Sequence, residues 1–381
     1  MQNFPLCPSC SPRFKKSQHV SRSRSEADCF ICRGILSCGR NLLSAALLQS
    51  QCFDWRNFSV ASSLPRSVLL REEDVADFFT PGEFTSLKNS LNSMLAKDIA
   101  AATGKENRQR NADAIFEFDF SKSKSSAKPS QLFISGHYLK LSRSHCQSRW
   151  HCSDCKGRGC ASCGGSGRNY PSVEEEIGSV LIHAFGAEGC TMHASGREDV
   201  DVRMLGGGRP FVMELKSPKK REAGLQALEE KMRSNKNVQA LGLKIVGKCA
   251  IDAVCGSHFD KEYSALVSAD RTLTVSDAKK AERLSGALIS QQTPNRVLSR
   301  RADLERKRKI HRLSAKPEAN GKLRLTILAE AGTYIKELIS SDKGRTRPSV
   351  SEILGCNAAC EELDVAAIRD YFLETLATGP D

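Results

Sequence analysis

Ser195-Gly-Arg-Glu-Asp-Val-Asp-Val-Arg-Met-Leu-Gly-Gly-Gly-Arg-Pro-Phe-Val-Met-Glu-Leu215 is the stretch around which the chain is organised. If its first half is a strand, Asp199, Asp201 and Arg203 share one face, and apolar side chains occupy the other. Gly206, Gly207 and Gly208 can supply a tight reversal, and residues 211–215 can then form a return strand. The stretch therefore predicts a hairpin that presents carboxylates and an arginine. That face is either an ordinary solvated surface or part of a site.

Composition narrows the class of protein. The chain has 381 residues, enough for two or three domains, and 40% of them are hydrophobic, enough for a substantial core. The formal net charge of +13 favours a polyanionic partner, most often nucleic acid. We expect no transmembrane helix, because no run of roughly eighteen apolar residues occurs. We also expect no signal peptide, because a cysteine pair lies where its apolar segment would be.

The sixteen cysteines, many in Cys-x-x-Cys pairs, indicate metal thiolates in a reducing compartment. Cys7/Cys10 and Cys29/Cys32 are two such pairs at a spacing typical of a four-cysteine zinc site. Free thiols at chance spacing are the alternative. The segment is too short to bury much apolar surface, so a metal would supply much of its stability.

A second, more compact group contains Cys152, Cys155, Cys160 and Cys163. Glycines between these residues permit tight turns that direct backbone N–H groups at sulfur. This group predicts a second structural zinc. Neither group contains a histidine or carboxylate that would indicate an open catalytic position, so we expect no catalytic cofactor.

Hydrophobic patterning predicts an α+β chain. Helices are expected over 66–100, with a break in the middle, and strands over 114–120 and 131–141. The expected regions are an N-terminal zinc-knuckle segment, an α+β RNA-binding region, a linker with the second knuckle, and a larger domain. Their respective bounds are 1–60, 61–150, 151–170 and 171–381.

The densest basic run begins within Thr293-Pro294-Asn295-Arg296-Val297-Leu298 and extends to Arg312. Only Asp303 and Glu305 are acidic among residues 300–312. A solvated charged helix is one interpretation. The net charge of the chain favours the other, which is contact with phosphates.

Three motifs stand in the order found in pseudouridine synthases. Gly196-Arg197-Glu198-Asp199 resembles the Gly-Arg-Thr-Asp loop of the TruA type, which carries the essential aspartate of that superfamily. Lys261-Glu262-Tyr263-Ser264-Ala265 resembles the Lys-x-Tyr-x-Ala strand, whose tyrosine stacks on the target base. Gly332–Leu338 resembles a TruB-type motif, whose basic residue pairs with the aspartate.

Longer matches resemble the archaeal and eukaryotic THUMP-containing tRNA pseudouridine synthases of the Pus-ten type. The matching segments are 196–215, 293–301 and 332–348, and 116–143 resembles the end of the THUMP-containing region. The resemblance implies an α+β fold, in which a zinc-bearing, THUMP-containing RNA-binding domain precedes a catalytic domain with a mixed or antiparallel sheet. It also implies conversion of uridine to pseudouridine in the T-loop of tRNA, at one or both of two adjacent uridines.

The resemblance assigns roles to individual residues. Asp199 is the expected catalytic carboxylate, acting either on C1′ or on the 2′ proton, and Asp201 is the competing candidate. Tyr263 would stack on the flipped uracil and Lys336 would be the counter-charge of the aspartate. The residues expected to bind substrate, by closing the pocket, shaping the loop or holding the backbone, are Arg197, Arg203, Arg296, Arg300, Arg301, Ile335 and Leu338.

Other functions remain open at this point. One is a non-catalytic RNA-binding scaffold that uses the knuckles and basic loops. Another is a pseudouridine synthase that acts on a different structured RNA. A zinc deaminase is disfavoured, because no His-x-Glu precedes a Pro-Cys-x-x-Cys motif. We expect tRNA as the partner, no membrane association, a monomer, and the nucleus or cytoplasm as the compartment.

Overall fold

The computed structural model describes residues 3–15, 18–80, 82–299 and 301–370. The chain divides into two compact units. The first comprises 1–131 with 185–188 and 216–223, and the second comprises 132–184, 189–215 and the chain from 224 onward. Residues 132–150 were expected in the α+β RNA-binding region of 61–150, whereas the structure groups them with the second unit.

The first unit contains a four-stranded sheet and a separate pair of short strands. Its elements are β1 (Phe4–Leu6), β2 (Val20–Arg22), α1 (Gly39–Gln49), β3 (Asn57–Ser63), α2 (Arg66–Ala76), α3 (Leu87–Thr103), β4 (Glu106–Asn107), β5 (Ala114–Asp119) and β6 (Lys124–Pro129). In the sheet order β4-β3-β5-β6, β3 is parallel to β4 and β5, and β6 is antiparallel to β5. The predicted helical stretch over 66–100 is confirmed as α2 and α3.

An aromatic cluster forms the core beneath this sheet. Phe116 and Phe118 alternate with polar residues along β5, and both are buried together with Phe120. They pack in one cluster with Trp55 and Phe58. A strand with one aromatic face was predicted here, and the prediction is confirmed, because only the apolar face of the alternation is removed from water.

The second unit contains most of the helices and strands. Up to β12 its elements are β7 (Leu132–Lys140), β8 (Trp150–His151), β9 (Arg168–Tyr170), α4 (Val173–Phe185), β10 (Gly189–Ala194), β11 (Arg203–Lys216), α5 (Leu225–Arg233) and β12 (Val238–Val246). The remaining elements are α6 (Cys249–Gly256), β13 (Lys261–Ala269), α7 (Val275–Ala281), β14 (Leu288–Gln292), β15 (Glu305–Glu318), β16 (Lys322–Ala329), α8 (Ile335–Ser340), β17 (Thr346–Arg347), α9 (Val350–Leu354) and β18 (Ala358–Ile368).

One mixed sheet of ten strands organises this unit. Its order is β12-β7-β11-β18-β13-β16-β15-β14-β17, and β10 also pairs with β11. The β11–β18 pair is parallel, whereas β13 is antiparallel to both of its neighbours, β18 and β16. The described residues therefore form an α+β fold with a mixed sheet, as the sequence analysis expected. No described helix is long and apolar enough to cross a membrane.

The predicted hairpin at the three glycines is wrong. β11 runs without a reversal from Arg203 to Lys216, and its pairing with β7 shifts register between Met204 and Arg209. Residues 195–202 are not a strand but the loop that connects β10 to β11. We call this segment the Asp199 loop. The alternating pattern that suggested a strand therefore lies in a connecting loop, so its carboxylates do not share one face of a strand.

The glycines of β11 allow close approach of backbones. Gly206 has a φ of 62°, and a Cβ there would lie 2.2 Å from the carbonyl oxygen of Ala366. Gly208 has a φ of 86°, and its Cβ would lie 2.8 Å from the carbonyl oxygen of Tyr138. A residue with a side chain would meet strain and a clash at both positions. The sequence signal was real, but it marks a bulge between neighbouring strands and not a turn.

Two other local predictions have clear outcomes. The helix expected after Ser172 is α4, and the Ser172 hydroxyl accepts a hydrogen bond from the Glu175 backbone N–H at 3.2 Å. The part of the basic run from Glu305 onward, for which a charged helix was one interpretation, instead lies in strand β15. Strand period places alternate basic side chains of this run on opposite faces.

We expect Gly206→Ala to destabilise the protein, by about 1–3 kcal/mol, because it adds a Cβ at a left-handed position against the carbonyl of Ala366. Gly207→Ala is the matched control, because no atom lies within 4 Å of its ideal Cβ. That change should alter the free energy of unfolding by about 0.5 kcal/mol or less. Urea unfolding of both variants measures the difference. Equal losses would contradict the close-approach explanation.

Candidate active site and metal centres

A cleft of about 660 Å³ opens on the second unit. It is lined by the Asp199 loop, by β13, by the connection between β14 and β15, and by the residues that lead into α8. Asp199, Tyr263 and Lys336, which come from three separate motifs in the sequence, all line it. The sheet order explains this meeting, because β11, β18 and β13 are successive strands in it.

The Asp199 carboxylate faces two cations. Arg296 Nη1 lies 2.9 Å from Oδ2 and 3.1 Å from Oδ1, and Lys336 Nζ lies 3.4 Å from Oδ2. The side chain of Asp199 is 41% exposed, so it remains open to the cleft. Lys336 was expected as the counter-charge, but the closer cation is Arg296. Two positive charges therefore face a carboxylate that is open to the cleft.

Lys336 makes its shortest contacts with Asp201. Its ammonium lies 2.9 Å from Oδ1 and 2.7 Å from Oδ2 of that carboxylate. Burial raises the pKa of Asp201, but the hydrogen bonds from Lys336 outweigh it and leave the pKa below the usual value. Asp201 is therefore an ionised partner that holds Lys336 in place beside Asp199.

Arg296 was expected to hold the phosphate backbone, and its position differs from that expectation. Its Nε donates to Oε1 of Glu337 at 2.6 Å, while its Nη1 faces Asp199. Burial lowers the pKa of Arg296, but Glu337 and Asp199 raise it further, so the net shift is upward. Glu337, a buried residue of α8, was not singled out in the sequence, because a glutamate after a lysine in a short helix carries no distinctive signal.

Lys140, at the end of β7, anchors the Asp199 loop from below. Its side chain is fully buried, and its Nζ donates to the carbonyl oxygens of Asp199, Val200 and His145 at 2.8, 2.9 and 2.8 Å. Burial lowers its pKa, against the opposing effect of nearby carboxylates. With both carbonyls turned toward the ammonium, the backbone on each side of the Asp199 side chain is fixed. The sequence analysis did not identify this residue.

Glu198 holds the same loop through a second buried network. Its carboxylate accepts from the Tyr138 hydroxyl at 2.9 Å and from Arg209 Nε at 3.0 Å. The completely buried Arg209 also donates to the Ser195 carbonyl oxygen at 2.6 Å. Gln147 adds a bond to the Gly196 carbonyl oxygen at 2.8 Å. The side chain before Asp199 therefore points into the core and the side chain of Asp199 points to the cleft.

Tyr263 and Lys261 lie on the same face of β13, two residues apart, and both line the cleft. Tyr263 is 8% exposed, and burial raises its pKa to about 12, so the phenol is neutral. Lys261 donates to the Phe259 carbonyl oxygen at 2.8 Å. Burial, with a further effect of Arg209, lowers its pKa to about 8. The sequence motif contained this lysine, but only its buried position makes it notable.

The other expected substrate-binding residues have differing locations. Ile335, Arg197 and Arg301 line the cleft, and Arg301 Nη1 donates to the Tyr334 hydroxyl at 3.1 Å. Leu338 is fully buried and is not among the described residues that line the cleft.

Two arginines remain to be placed. Arg203 forms a two-pronged pair with Asp364, at 2.9 and 2.7 Å, and is also not among the described residues that line the cleft. Its guanidinium ties β11 to β18, which are paired in parallel at this position. Arg300 lies outside the described residues.

Known proteins of similar sequence identify the family of this chain. The family model described as "Pus10, C-terminal" matches residues 133–369, which is more than half of the chain. The chain belongs to the Pus10 family. A curated relative from Korarchaeum cryptofilum, named tRNA pseudouridine synthase Pus10, is 38% identical over 359 residues, covering 91% of this chain and 95% of the relative.

Further Pus10 relatives support the assignment. Those from Methanocaldococcus jannaschii and Pyrococcus furiosus are 35% and 32% identical, each over 90% of this chain, and the matches cover 76% and 84% of the relatives. A solved Cbf5-Nop10-Gar1 complex is similar over 61% of this chain and 58% of its own, at 16% identity and a TM-score of 0.32. The chain is an enzyme of the pseudouridine synthase class, an isomerase.

Both four-cysteine groups of this Pus10-family chain have the geometry of metal centres. In each, one sulfur per residue lies within 4.8 Å of all the others. The Cys160–Cys163 and Cys152–Cys160 sulfur separations are 3.7 and 3.9 Å. Four thiolates at about 2.3 Å from a tetrahedral ion would be about 3.8 Å apart. Both groups can therefore hold a metal ion.

The surroundings of the sulfurs also fit a bound cation. In the second group, the N–H groups of Gly159 and Gly167 donate to Cys155 and Cys163 sulfurs, both at 3.2 Å. A backbone N–H, from Cys160, is the largest factor that lowers the pKa of the Cys163 thiol, to about 6. Thiolates are the ligating form, so this environment favours the charge that a metal needs.

We expect Cys10→Ser and Cys155→Ser each to remove about one equivalent of bound metal, because each change leaves three of four thiolates. Cys10→Ser should also destabilise the first unit by about 4 kcal/mol or more, since the loss of a metal belongs to the most damaging class of substitution. Cys52→Ser is the control, because Cys52 is exposed and outside both groups. Elemental analysis and thermal unfolding measure the effects, and a metal content unchanged in Cys10→Ser would refute the assignment.

We expect the stability difference between Lys261→Met and the native chain to depend on pH. The folded pKa is about 8, below the usual lysine value, so in the alkaline range the unfolded chain binds more protons. The native chain therefore gains stability as pH rises, and the methionine variant does not gain it from this position. Between about pH 7 and pH 9.5 the difference in unfolding free energy should change by about 2 kcal/mol. A difference independent of pH would show that Lys261 is not shifted.

Proposed function

We propose that this enzyme converts uridine to pseudouridine in tRNA, with Asp199 as the reacting carboxylate. The observation that carries the proposal is a half-open carboxylate held between Arg296 and Lys336, in a cleft whose wall presents the ring of Tyr263. Membership of the Pus10 family, whose curated relatives are named tRNA pseudouridine synthases, supports the reaction and the substrate class.

The reaction breaks the bond between N1 of uracil and C1′, turns the base, and forms a bond between C5 and C1′. The proton on C5 leaves and N1 gains one, so the product is an isomer and no co-reactant is consumed. Asp199 acts either by attack on C1′ or by removal of the 2′ proton, and both require an ionised carboxylate. Arg296 and Lys336 place positive charge against the carboxylate and leave it partly exposed to the cleft.

Tyr263 is the proposed stacking surface for the flipped uracil. Its ring lies within the cleft on a strand of the central sheet, and a rigid aromatic face can hold a base while it turns. Ile335 also lines the cleft, and Leu338 is buried in the same helix, so apolar side chains would help to shield the reacting sugar from water. Lys261 has a lowered pKa and lies two residues from Tyr263, on the same face of β13. It would therefore influence the edge of the base that stacks on Tyr263.

The T-loop of the tRNA is the proposed location of the target, by resemblance to the Pus-ten type. Positive charge supports an RNA substrate in general. Lys307 and Lys309 are exposed on β15, and Arg197 is exposed at the cleft. Such side chains add affinity that falls with salt concentration and carries little base identity. The first unit is the proposed THUMP-containing accessory region for RNA binding.

Zinc is the proposed metal at both four-cysteine groups. All four ligands in each are thiolates, which suits zinc in a closed tetrahedral site. These ions would stabilise the fold and take no part in the reaction, so the catalytic step needs no cofactor. We propose a monomer that acts in the nucleus or the cytoplasm.

We expect Asp199→Asn to lower the turnover of an unmodified tRNA transcript by at least about 10³-fold, because the amide can neither attack nor accept a proton. Tritium release from C5-labelled uridine measures the reaction directly. Asp201→Asn is the matched control, since it alters the neighbouring carboxylate that holds Lys336, and it should retain measurable turnover.

Three results would change the proposal. Full activity in Asp199→Asn together with loss in Asp201→Asn would transfer the catalytic role to Asp201. RNA binding without tritium release in the native protein would favour a non-catalytic scaffold. Release from another structured RNA but not from tRNA would retain the chemistry and replace the substrate.

A further inference from the structure

The second metal group belongs to a ribbon that reaches the cleft. We call residues 150–170 the knuckle ribbon. It begins with β8 and ends with β9, which pair antiparallel, and the four cysteines lie between them. Trp150, the first residue of β8, lines the same cleft as Asp199 and Tyr263. The ribbon therefore contributes an aromatic ring to the wall of the candidate active site.

The position of Trp150 is fixed relative to the Asp199 loop. Gln147, three residues earlier, donates to the Gly196 carbonyl oxygen and to the Tyr138 hydroxyl, both at 2.8 Å. The backbone N–H of Arg149 donates to the Glu174 carboxylate at 3.0 Å. One short segment thus connects the anchored loop to the ring, so that the ring is held where the cleft needs a rigid surface.

The other end of the ribbon is tied to the same helix. Arg168 Nη1 and Arg149 Nε lie 3.0 and 3.6 Å from the Glu175 carboxylate, in the first turn of α4. The ring of Trp150 packs against the ring of Tyr170, and their centroids are 5.7 Å apart. The two strands of this ribbon have only two and three residues, so the ribbon by itself would be only marginally stable in water. The four-cysteine group and α4 supply the missing stability, and Trp150 lies where it lines the cleft.

The surface of the ribbon is positively charged. Lys156 and Arg158 lie in the loop between the cysteine pairs, and both are exposed. Arg197, on the Asp199 loop, is exposed where it lines the cleft. No ion pair of Lys156, Arg158 or Arg197 with a carboxylate occurs among the residues that the structure describes. Cations beside an aromatic ring are the combination that binds single-stranded nucleic acid.

We propose that the knuckle ribbon is an RNA-binding wall of the active cleft, in which Trp150 stacks on a base next to the flipped uridine. The inference rests on the proposed function, because it needs an RNA whose target base leaves the stack. Flipping removes a stacking neighbour from the adjacent base. An aromatic ring fixed near the catalytic carboxylate replaces that neighbour and offsets part of the cost. Lys156 and Arg158 then contact phosphates on the same side.

The test uses the full-length, metal-loaded protein labelled with 5-fluorotryptophan. The chain has two tryptophans, so its fluorine spectrum should contain two resonances, and Trp150→Phe assigns them. Trp55 is buried in the core of the first unit and is the internal reference. An unmodified tRNA transcript should shift the Trp150 resonance and leave that of Trp55 in place. A Trp150 resonance that is unchanged at saturating RNA would overturn the proposal.

Substitutions separate stacking from packing. Trp150→Leu keeps apolar bulk but removes the aromatic face, and it should weaken transcript binding roughly 5- to 100-fold. Trp150→Phe keeps a ring and should bind within a few-fold of the native protein. Tyr170→Leu is the matched control, because Tyr170 packs on Trp150 but is not among the cleft-lining residues. It should leave affinity near the native value, and metal content should be unchanged in all three variants.

The possible outcomes distinguish this inference from the proposed function. Equal binding by Trp150→Leu and the native protein would overturn the inference even if tritium release is normal. Equal weakening by Trp150→Leu and Tyr170→Leu would also overturn it, since the ring would then only hold the ribbon together. A Trp150 shift with selective weakening, but no tritium release by the native protein, would support the RNA-binding wall and remove the catalytic proposal.

Discussion

The hydrogen bonds of the Lys140 ammonium are the interaction on which the geometry of the candidate active site depends. The Lys140 side chain is fully buried, and it donates to the backbone carbonyls of Asp199 and Val200. A buried charge is costly unless every donor is used. The loop can satisfy this lysine in few conformations, and in the observed one the Asp199 side chain points away from the lysine and into the cleft. The Glu198–Arg209 pair, also buried, fixes the residue immediately before it. The direction of the reactive side chain therefore follows from the burial of its neighbours.

The cations around Asp199 are arranged by a similar rule. Each of the two that face it is also bound by a carboxylate of its own, Arg296 by Glu337 and Lys336 by Asp201. A long flexible side chain would otherwise lose entropy to hold one position beside an exposed acid. With a second carboxylate on each cation, the positive charges are oriented before substrate arrives. This gives Asp201 and Glu337 a supporting role, and among these three described carboxylates Asp199 is the one that lines the cleft.

Sequence patterns predicted the parts of the site that carry a distinctive motif, and they missed the parts that hold it. Asp199, Tyr263 and Lys336 were proposed as one site from three short motifs, and the structure brings them into one cleft. Lys140 was invisible, because one lysine at the end of a strand resembles many surface lysines until the fold buries it. The three glycines were assigned to a turn, since glycine has the same torsional signature in a turn and in a bulge. Only the approach of β18 distinguishes these two uses.

Two metal centres with the same ligands have different surroundings, and these indicate different uses. The first four cysteines are at most 2% exposed and lie in an apolar cluster with side chains from α2, so a metal there is part of a core. In the second group Cys160 and Cys163 are partly exposed, and the loop around them carries charged side chains into solvent. A short ribbon gains little from apolar burial, because it has little apolar surface to remove from water. A metal bound there would instead fix the position of a surface element. This element begins with Trp150, the tryptophan that lines the cleft. The second four-cysteine group would therefore position this residue, and it would contribute little to a core.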